Sequence, residues 1–160
     1  MLTDASAGHL PPAESMAGRR FALLVARFNS EITEVLKDRC LAGLLEFGAL
    51  ESDIDVFYVP GAWELPQVAS RLGHLRRHDC VIALGCVIRG ETSHFEFVAS
   101  EASDGLSSVA RAVNLPIIFG VLTTDTIEQA WGRTQADKAD KGREFALSAA
   151  HMVSLYKDLR

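Results

Sequence analysis

The residues best placed for chemistry lie in one stretch, residues 81–101, reading VIALGCVIRGETSHFEFVASE. Gly85 and Gly90 bracket four residues and Thr92 follows, which is the spacing of a phosphate-binding P-loop at each defined position except the lysine. Glu91 stands where that lysine belongs, and a carboxylate cannot neutralise a nucleotide's terminal phosphates, so NTP hydrolysis is disfavoured. The backbone physics survives the change, because free N–H groups at a helix start and the positive end of its dipole favour an anion such as a phosphate monoester. Equally, two glycines here permit a tight strand-to-helix turn that binds nothing.

His94 closes this segment, and an imidazole exchanges protons in either direction near neutrality. A histidine in a helix's first turn can also be exposed and idle. Phe28 and Trp63 fall just past strand ends, where a flat heterocycle can lie against them or where they can plug the core instead. Glu64 suits hydrogen bonds from a polyol and equally suits the start of a helix. Cys86 is near a helix start, which favours a thiolate, yet its apolar neighbours also fit a small buried hydrophobe. No serine or cysteine triad and no paired carboxylates stand out, so amine–carbonyl or elimination chemistry helped by positioning is expected, without a covalent nucleophile. Cys40, Cys80 and Cys86 form no C-x-x-C, and the five histidines form no H-E-x-x-H, so neither metal nor redox chemistry is expected.

These residues must be held by the elements around them. FALLVA at Phe21–Ala26 is a continuous apolar run of strand length, the mark of a strand buried on both faces in a parallel sheet. A helix starting at Asn29 or Ser30, with Glu31 and Glu34 in its first turn, carries the stripe Ile32, Leu36, Cys40, Leu44 and Phe47 and stops at Gly48. Residues 56–59 form the second strand, and a helix from about Pro66 buries Val68, Ala69, Leu72 and Leu75. The third strand, residues 81–84, passes through the glycine loop into a helix on Phe95, Val98, Ala102, Leu106 and Val109, ended by Asn114 and Pro116. Residues 117–122 are the fourth strand, and Asp125 with Glu128 predicts a capped short helix that breaks around residues 132–141. A last helix covers residues 142–159.

Strands and helices in strict alternation predict an α/β fold with a four-stranded parallel sheet and helices on both faces. Ligands of such sheets bind beyond the carboxyl ends of the strands, where loops 27–29, 60–64, 85–94 and 123–124 converge. The 160 residues make one domain, residues 20–160, behind an N-terminal arm over residues 1–19 that would need a neighbour to be ordered. Net charge is −5 with scattered cations, which speaks against nucleic acid, and no apolar run reaches the ~20 residues of a membrane span. A signal-peptide pattern is lacking at the start, so a cytoplasmic location is expected.

Beyond these local readings, RFN at 27–29, VPGAWELP at 59–66, GCVIRGETSHFEFV at 85–98, FGVLTT at 119–124, IEQA at 127–130 and KG at 141–142 occur in order. Together they resemble the lumazine synthases of riboflavin biosynthesis. The resemblance implies a flavodoxin-like three-layer sandwich and a cofactor-free condensation of 5-amino-6-ribitylamino-pyrimidinedione with 3,4-dihydroxy-2-butanone 4-phosphate. It implies that Phe28 and Trp63 hold the pyrimidine and Glu64 the ribityl chain, with Ala62, Val87, Ile88 and Phe119 lining the pocket. Backbone N–H groups of Glu91 and Thr92 with Arg133 would take the phosphate, His94 would shuttle protons, and Lys141 with Glu144 would form a supporting charged pair. By the same resemblance Phe119, Arg133 and Lys141 come from an adjacent subunit of a homopentamer, twelve of which can build an icosahedral shell, with riboflavin synthase as a further partner. Cys86, Trp63 and Asp140 replace the threonine, smaller aromatic and asparagine common at those places. The alternative function is a non-catalytic flavin- or lumazine-binding or shell-forming protein of the same fold.

Overall fold

Strand β1 (Phe21–Ala26) is buried at all six residues, as an uninterrupted apolar run requires. In the computed structural model, which describes residues 14–160, it pairs in parallel with β2 (Ile54–Val59) on one side and β3 (Cys80–Ile88) on the other. β3 pairs in turn with β4 (Ile117–Thr124), giving the order β2-β1-β3-β4. Parallel neighbours need crossovers, supplied by α1 (Ser30–Glu46), α2 (Leu65–Leu75) and α3 (His94–Val113), while α4 (Ile127–Thr134) and α5 (Lys141–Asp158) follow the last strand. The expected four-stranded parallel sheet with helices on both faces is what forms.

Alternation along β1 divides the core in two. Phe21, Leu23 and Val25 pack with Cys40 and Leu44 of α1 and Ala146, Ala149, Ala150 and Val153 of α5. Ala22, Leu24 and Ala26 pack on the other face with Leu65, Ala69 and Leu72 of α2 and Ala102 and Leu106 of α3. Fully burying one such Leu or Val is worth ~1.5–3 kcal/mol, so both layers contribute heavily to stability. A third cluster lies in the carboxyl-terminal halves of β3 and β4, where Ile32 and Leu36 of α1 meet Cys86, Leu122 and Ala130. α1 stops as expected at Gly48, whose φ of 94° lets Ala49 N–H reach the Leu44 carbonyl at 3.0 Å and its own N–H reach that of Leu45.

Four expectations need correction. β3 does not end at Leu84: Gly85, Cys86, Val87 and Ile88 continue it opposite Val121, Leu122, Thr123 and Thr124, because β4 is itself long enough to offer them ladder partners. Gly85 is therefore sheet, the P-loop-like bracket does not exist, and the loop before α3 is only residues 89–93. β2 begins at Ile54 rather than Val56 and is an edge strand, with Val56, Phe57 and Tyr58 exposed. The cap of α4 is Thr126 rather than Asp125: Gln129 N–H donates to Thr126 Oγ1 at 3.2 Å, and Gln129 Oε1 accepts from Thr126 N–H at 3.3 Å. α4 also runs through Gly132 and Arg133 to Thr134 before it stops. Most of the arm falls outside the described residues, but its end does not behave as a free tail, since Met16 is 2% exposed and its N–H donates to the Phe47 carbonyl.

Candidate active site

The chain runs from β1 outward to β2 and then returns across to β3, so strand order reverses between β1 and β3. Loops leaving neighbouring strands in opposite directions open a crevice at that point. A cleft of about 790 Å³ lies there, walled by Phe28 and Asn29 after β1, Ala62, Trp63 and Glu64 after β2, Val87 and Ile88 at the end of β3, and Thr92 and His94 at the start of α3. Phe28 is 73% exposed and Trp63 50% exposed, so neither plugs the core and both offer ring faces to the cleft. Ala62 and Val87 are buried and form its floor.

Asn29 fixes the shape of this crevice. It occupies the cap position of α1 in a left-handed conformation (φ 59°), where its side chain makes no capping bond. Instead its Nδ2 donates to the Cys86 carbonyl at 2.8 Å and ties the β1 loop to the extended end of β3. Glu64 is held by the backbone: its Oε2 accepts from Gly61 N–H at 2.9 Å, leaving the other oxygen for a ligand. The commonplace and the functional roles expected of Glu64 are thus compatible.

At the start of α3, Ser93 is the cap and His94 the first helical residue. Thr92 Oγ1 accepts from His94 N–H at 3.3 Å, whereas the N–H groups of Glu91 and Thr92 donate to no acceptor among the described residues. Arg89 braces this turn, with Nε on Asp125 Oδ1 at 2.8 Å and a second guanidinium nitrogen paired with Glu96. That contact is the main cause holding the Glu96 carboxyl below its ordinary range. Cys86 offers no nucleophile, since burial pushes its thiol up to about 11 and it stands inside β3 rather than beside the helix start.

Phe119, Arg133 and Lys141 do not reach this cleft. They line a separate one of about 290 Å³ with Phe145, formed by β4, α4 and the first turn of α5. Lys141 Nζ donates to Glu144 Oε2 at 2.7 Å, whereas Arg133 has no ion-pair partner among the described residues. One chain therefore brings together Phe28, Trp63, Glu64, Thr92 and His94 but holds Phe119, Arg133, Lys141 and Glu144 apart from them. Glu91 is on the connecting loop, with its side chain off the wall of the larger cleft.

Sequence reasoning missed Asn29 as a bridge and Phe97 as a wall residue. Phe97 is 67% exposed and lines the larger cleft, three residues after His94 and so on the same side of α3. That spacing was the available signal.

The 6,7-dimethyl-8-ribityllumazine synthase family model matches residues 18–157. Similar proteins named 6,7-dimethyl-8-ribityllumazine synthase include one from Desulfotalea psychrophila, 46% identical over 143 residues that cover 89% of this chain and 92% of the relative. Another, from Yersinia pestis, is 49% identical over 142 residues, covering 88% of this chain and 91% of the relative.

Proposed function

This chain belongs to the 6,7-dimethyl-8-ribityllumazine synthase family, and from that premise we propose how its two clefts divide one condensation between them. The reaction joins 5-amino-6-(D-ribitylamino)uracil to 3,4-dihydroxy-2-butanone 4-phosphate and releases phosphate and water. The amine of the first substrate attacks the ketone carbonyl of the second, a first water leaves as the imine forms, phosphate leaves by elimination to an enol that becomes a ketone, and the ribitylamino nitrogen closes the ring onto that ketone with loss of a second water.

Phe28 and Trp63 hold the pyrimidine ring over the floor made by Ala62, Val87 and Ile88, and the free oxygen of Glu64 accepts from the ribityl hydroxyls. The unsatisfied N–H groups of Glu91 and Thr92 bind the phosphate at the positive end of α3, and His94 carries the protons exchanged during imine formation and phosphate loss. Arg133, Phe119 and the Lys141–Glu144 pair come from a neighbouring copy. The single observation that carries this reading is the separation of the clefts: the Arg133 guanidinium, in no ion pair among the described residues and suited to the phosphate, lines a different cleft from His94 of its own chain. A ring closes such head-to-tail contacts and completes every site, and we assign it five members. No described helix is long and apolar enough to cross a membrane and the three cysteines are free, in keeping with a cytoplasmic enzyme.

Mixing the purified protein with both substrates and following lumazine fluorescence tests the activity, and a rate equal to that without protein overturns it. Light scattering should give five times the 17.4 kDa chain mass, or sixty times if the rings close into a shell. A monodisperse, active monomer would refute the shared site.

A further inference from the structure

Arg39 stands on α1, and its guanidinium forks onto Asp140, with Nε on Oδ1 at 2.9 Å and the terminal nitrogen on Oδ2 at 2.5 Å. The pair is partly buried, with 34% and 16% of the two side chains exposed. Asp140 occupies the cap position of α5 in a left-handed conformation (φ 43°), which asparagine and aspartate tolerate better than most residues. Its carboxylate makes no capping bond, because Arg39 has claimed both oxygens. The next residue is Lys141, whose one ion-pair partner among the described residues is Glu144.

Two carboxylates flanking one ammonium compete for it, and the one on the adjacent residue is hard to keep away by distance alone. A bidentate guanidinium satisfies a carboxylate's geometry and charge together, and removing it leaves a partly desolvated anion in search of a cation; Arg143, the other cation near Asp140, is already forked onto both oxygens of Glu46. We propose that Arg39 is a positioning residue: by engaging both oxygens of Asp140 it keeps Lys141 paired with Glu144 alone and presented to the smaller cleft. This rests on the role of Lys141 proposed above.

The backbone seat of α5 is secured independently. A Cβ on Gly142 would come within 2.6 Å of both Arg39 Cβ and the Leu36 carbonyl oxygen, so the first turn of α5 lies directly on α1 through main-chain contact. Shortening Arg39 therefore frees the Asp140 carboxylate without unseating the helix.

The test is a cycle of three variants: Arg39→Ala, Asp140→Asn, and both together. Arg39→Ala should lower kcat/KM for the phosphate-bearing substrate about tenfold, a loss of ~1.4 kcal/mol, while its thermal midpoint stays near that of Asp140→Asn. The double variant should recover to within about threefold, since an amide has no charge with which to draw Lys141 away. A second readout does not need activity: acetylation of Lys141 by acetic anhydride, read by mass spectrometry against Lys37, Lys138 and Lys157 of the same chain. Lys141 should react more slowly in Arg39→Ala than in the wild type, and its rate should return in the double variant. An Arg39→Ala chain with unchanged Lys141 reactivity, or a double variant no better than the single one, overturns the proposal. If the wild type made no lumazine, the function assigned above would fail, while the acetylation order would still decide the place of Arg39.

Discussion

The larger cleft and the smaller one differ in how they are built. The larger is made of shape: exposed rings of Phe28 and Trp63 over a buried floor, braced by the Asn29 side chain on the Cys86 carbonyl. The smaller carries the charge, with Arg133 in no ion pair among the described residues, Lys141 on Glu144, and Phe119 and Phe145 as its aromatic walls. Shape is supplied by strand ends and loops that the sheet already fixes, whereas charge rides on two helices, α4 and α5, that follow the last strand. A condensation between two reactive substrates needs both, since holding the partners together supplies most of the acceleration and the leaving phosphate needs a cation.

The comparison breaks most directly at Arg133. Arg133→Ala should cost ~1.5–3 kcal/mol in transition-state stabilisation, roughly a 10- to 150-fold drop in kcat/KM for the phosphate substrate. His94→Ala should hurt less, because in the proposed role it removes a proton carrier and spares positioning. Single-turnover kinetics that found the histidine variant dead and the arginine variant near normal would reverse the two roles.

Combining the variants sharpens the same contrast. If each site draws His94 from one copy and Arg133 from the next, refolding equal amounts of His94→Ala and Arg133→Ala chains should return about a quarter of the sites to full function. A mixture that only averages the two parent rates would show that each chain keeps both groups in one site.

Within the larger cleft alone, Trp63→Phe should retain pyrimidine binding and remove most of the fluorescence quenching that binding causes, because the proposed role sets the indole against the ligand. The remaining emitter, Trp131, packs against the cluster around Ile32 and Leu122. A titration signal unchanged in the variant would take Trp63 off the ligand.

The smallest effect is a control at the opposite end of the sheet. Asp55 accepts from His78 Nε2 at 2.7 Å and from Arg20 at 3.3 Å, and chiefly the His78 contact holds its carboxyl below its ordinary value of 3.8. A depressed carboxyl adds stability that is complete above the unfolded pKa and is lost as pH falls through the lower, folded value. Asp55→Asn should therefore flatten the acid limb of stability below about pH 4 and leave kinetics at both clefts unchanged. Denaturation midpoints across that limb check it, and equal slopes in both proteins would remove Asp55 from the account.

Much of this was legible in the residues. β1 was read to its end residues because FALLVA is apolar throughout, a signal that tertiary context does not alter. The end of β3 was misread because Gly85 punctuates locally, whereas the ladder partners that keep it in the sheet lie 36 positions further on, at Val121. Thr126 lost the cap to Asp125 in the reading because capping chemistry tolerates either residue, and only the Gln129 side chain decides between them. Phe28 and Trp63 were recognised by type and place, but no spacing rule foretells that Phe119 and Arg133 open into a different cleft from His94. The Arg39–Asp140 pair, 101 positions apart, had no local signature at all.

The two-sided burial of β1 also sets a schedule for synthesis. One face is covered by α2 and α3, which leave the ribosome well before the end of the chain. The other waits for Ala146, Ala149, Ala150 and Val153 of α5, which follows all four strands. Until then α1 alone, through Cys40 and Leu44, covers Phe21, Leu23 and Val25 on that face, and the nascent chain carries a half-covered apolar strip of the kind that chaperones bind. In that sense the first strand of the sheet is finished by a helix that follows all four strands.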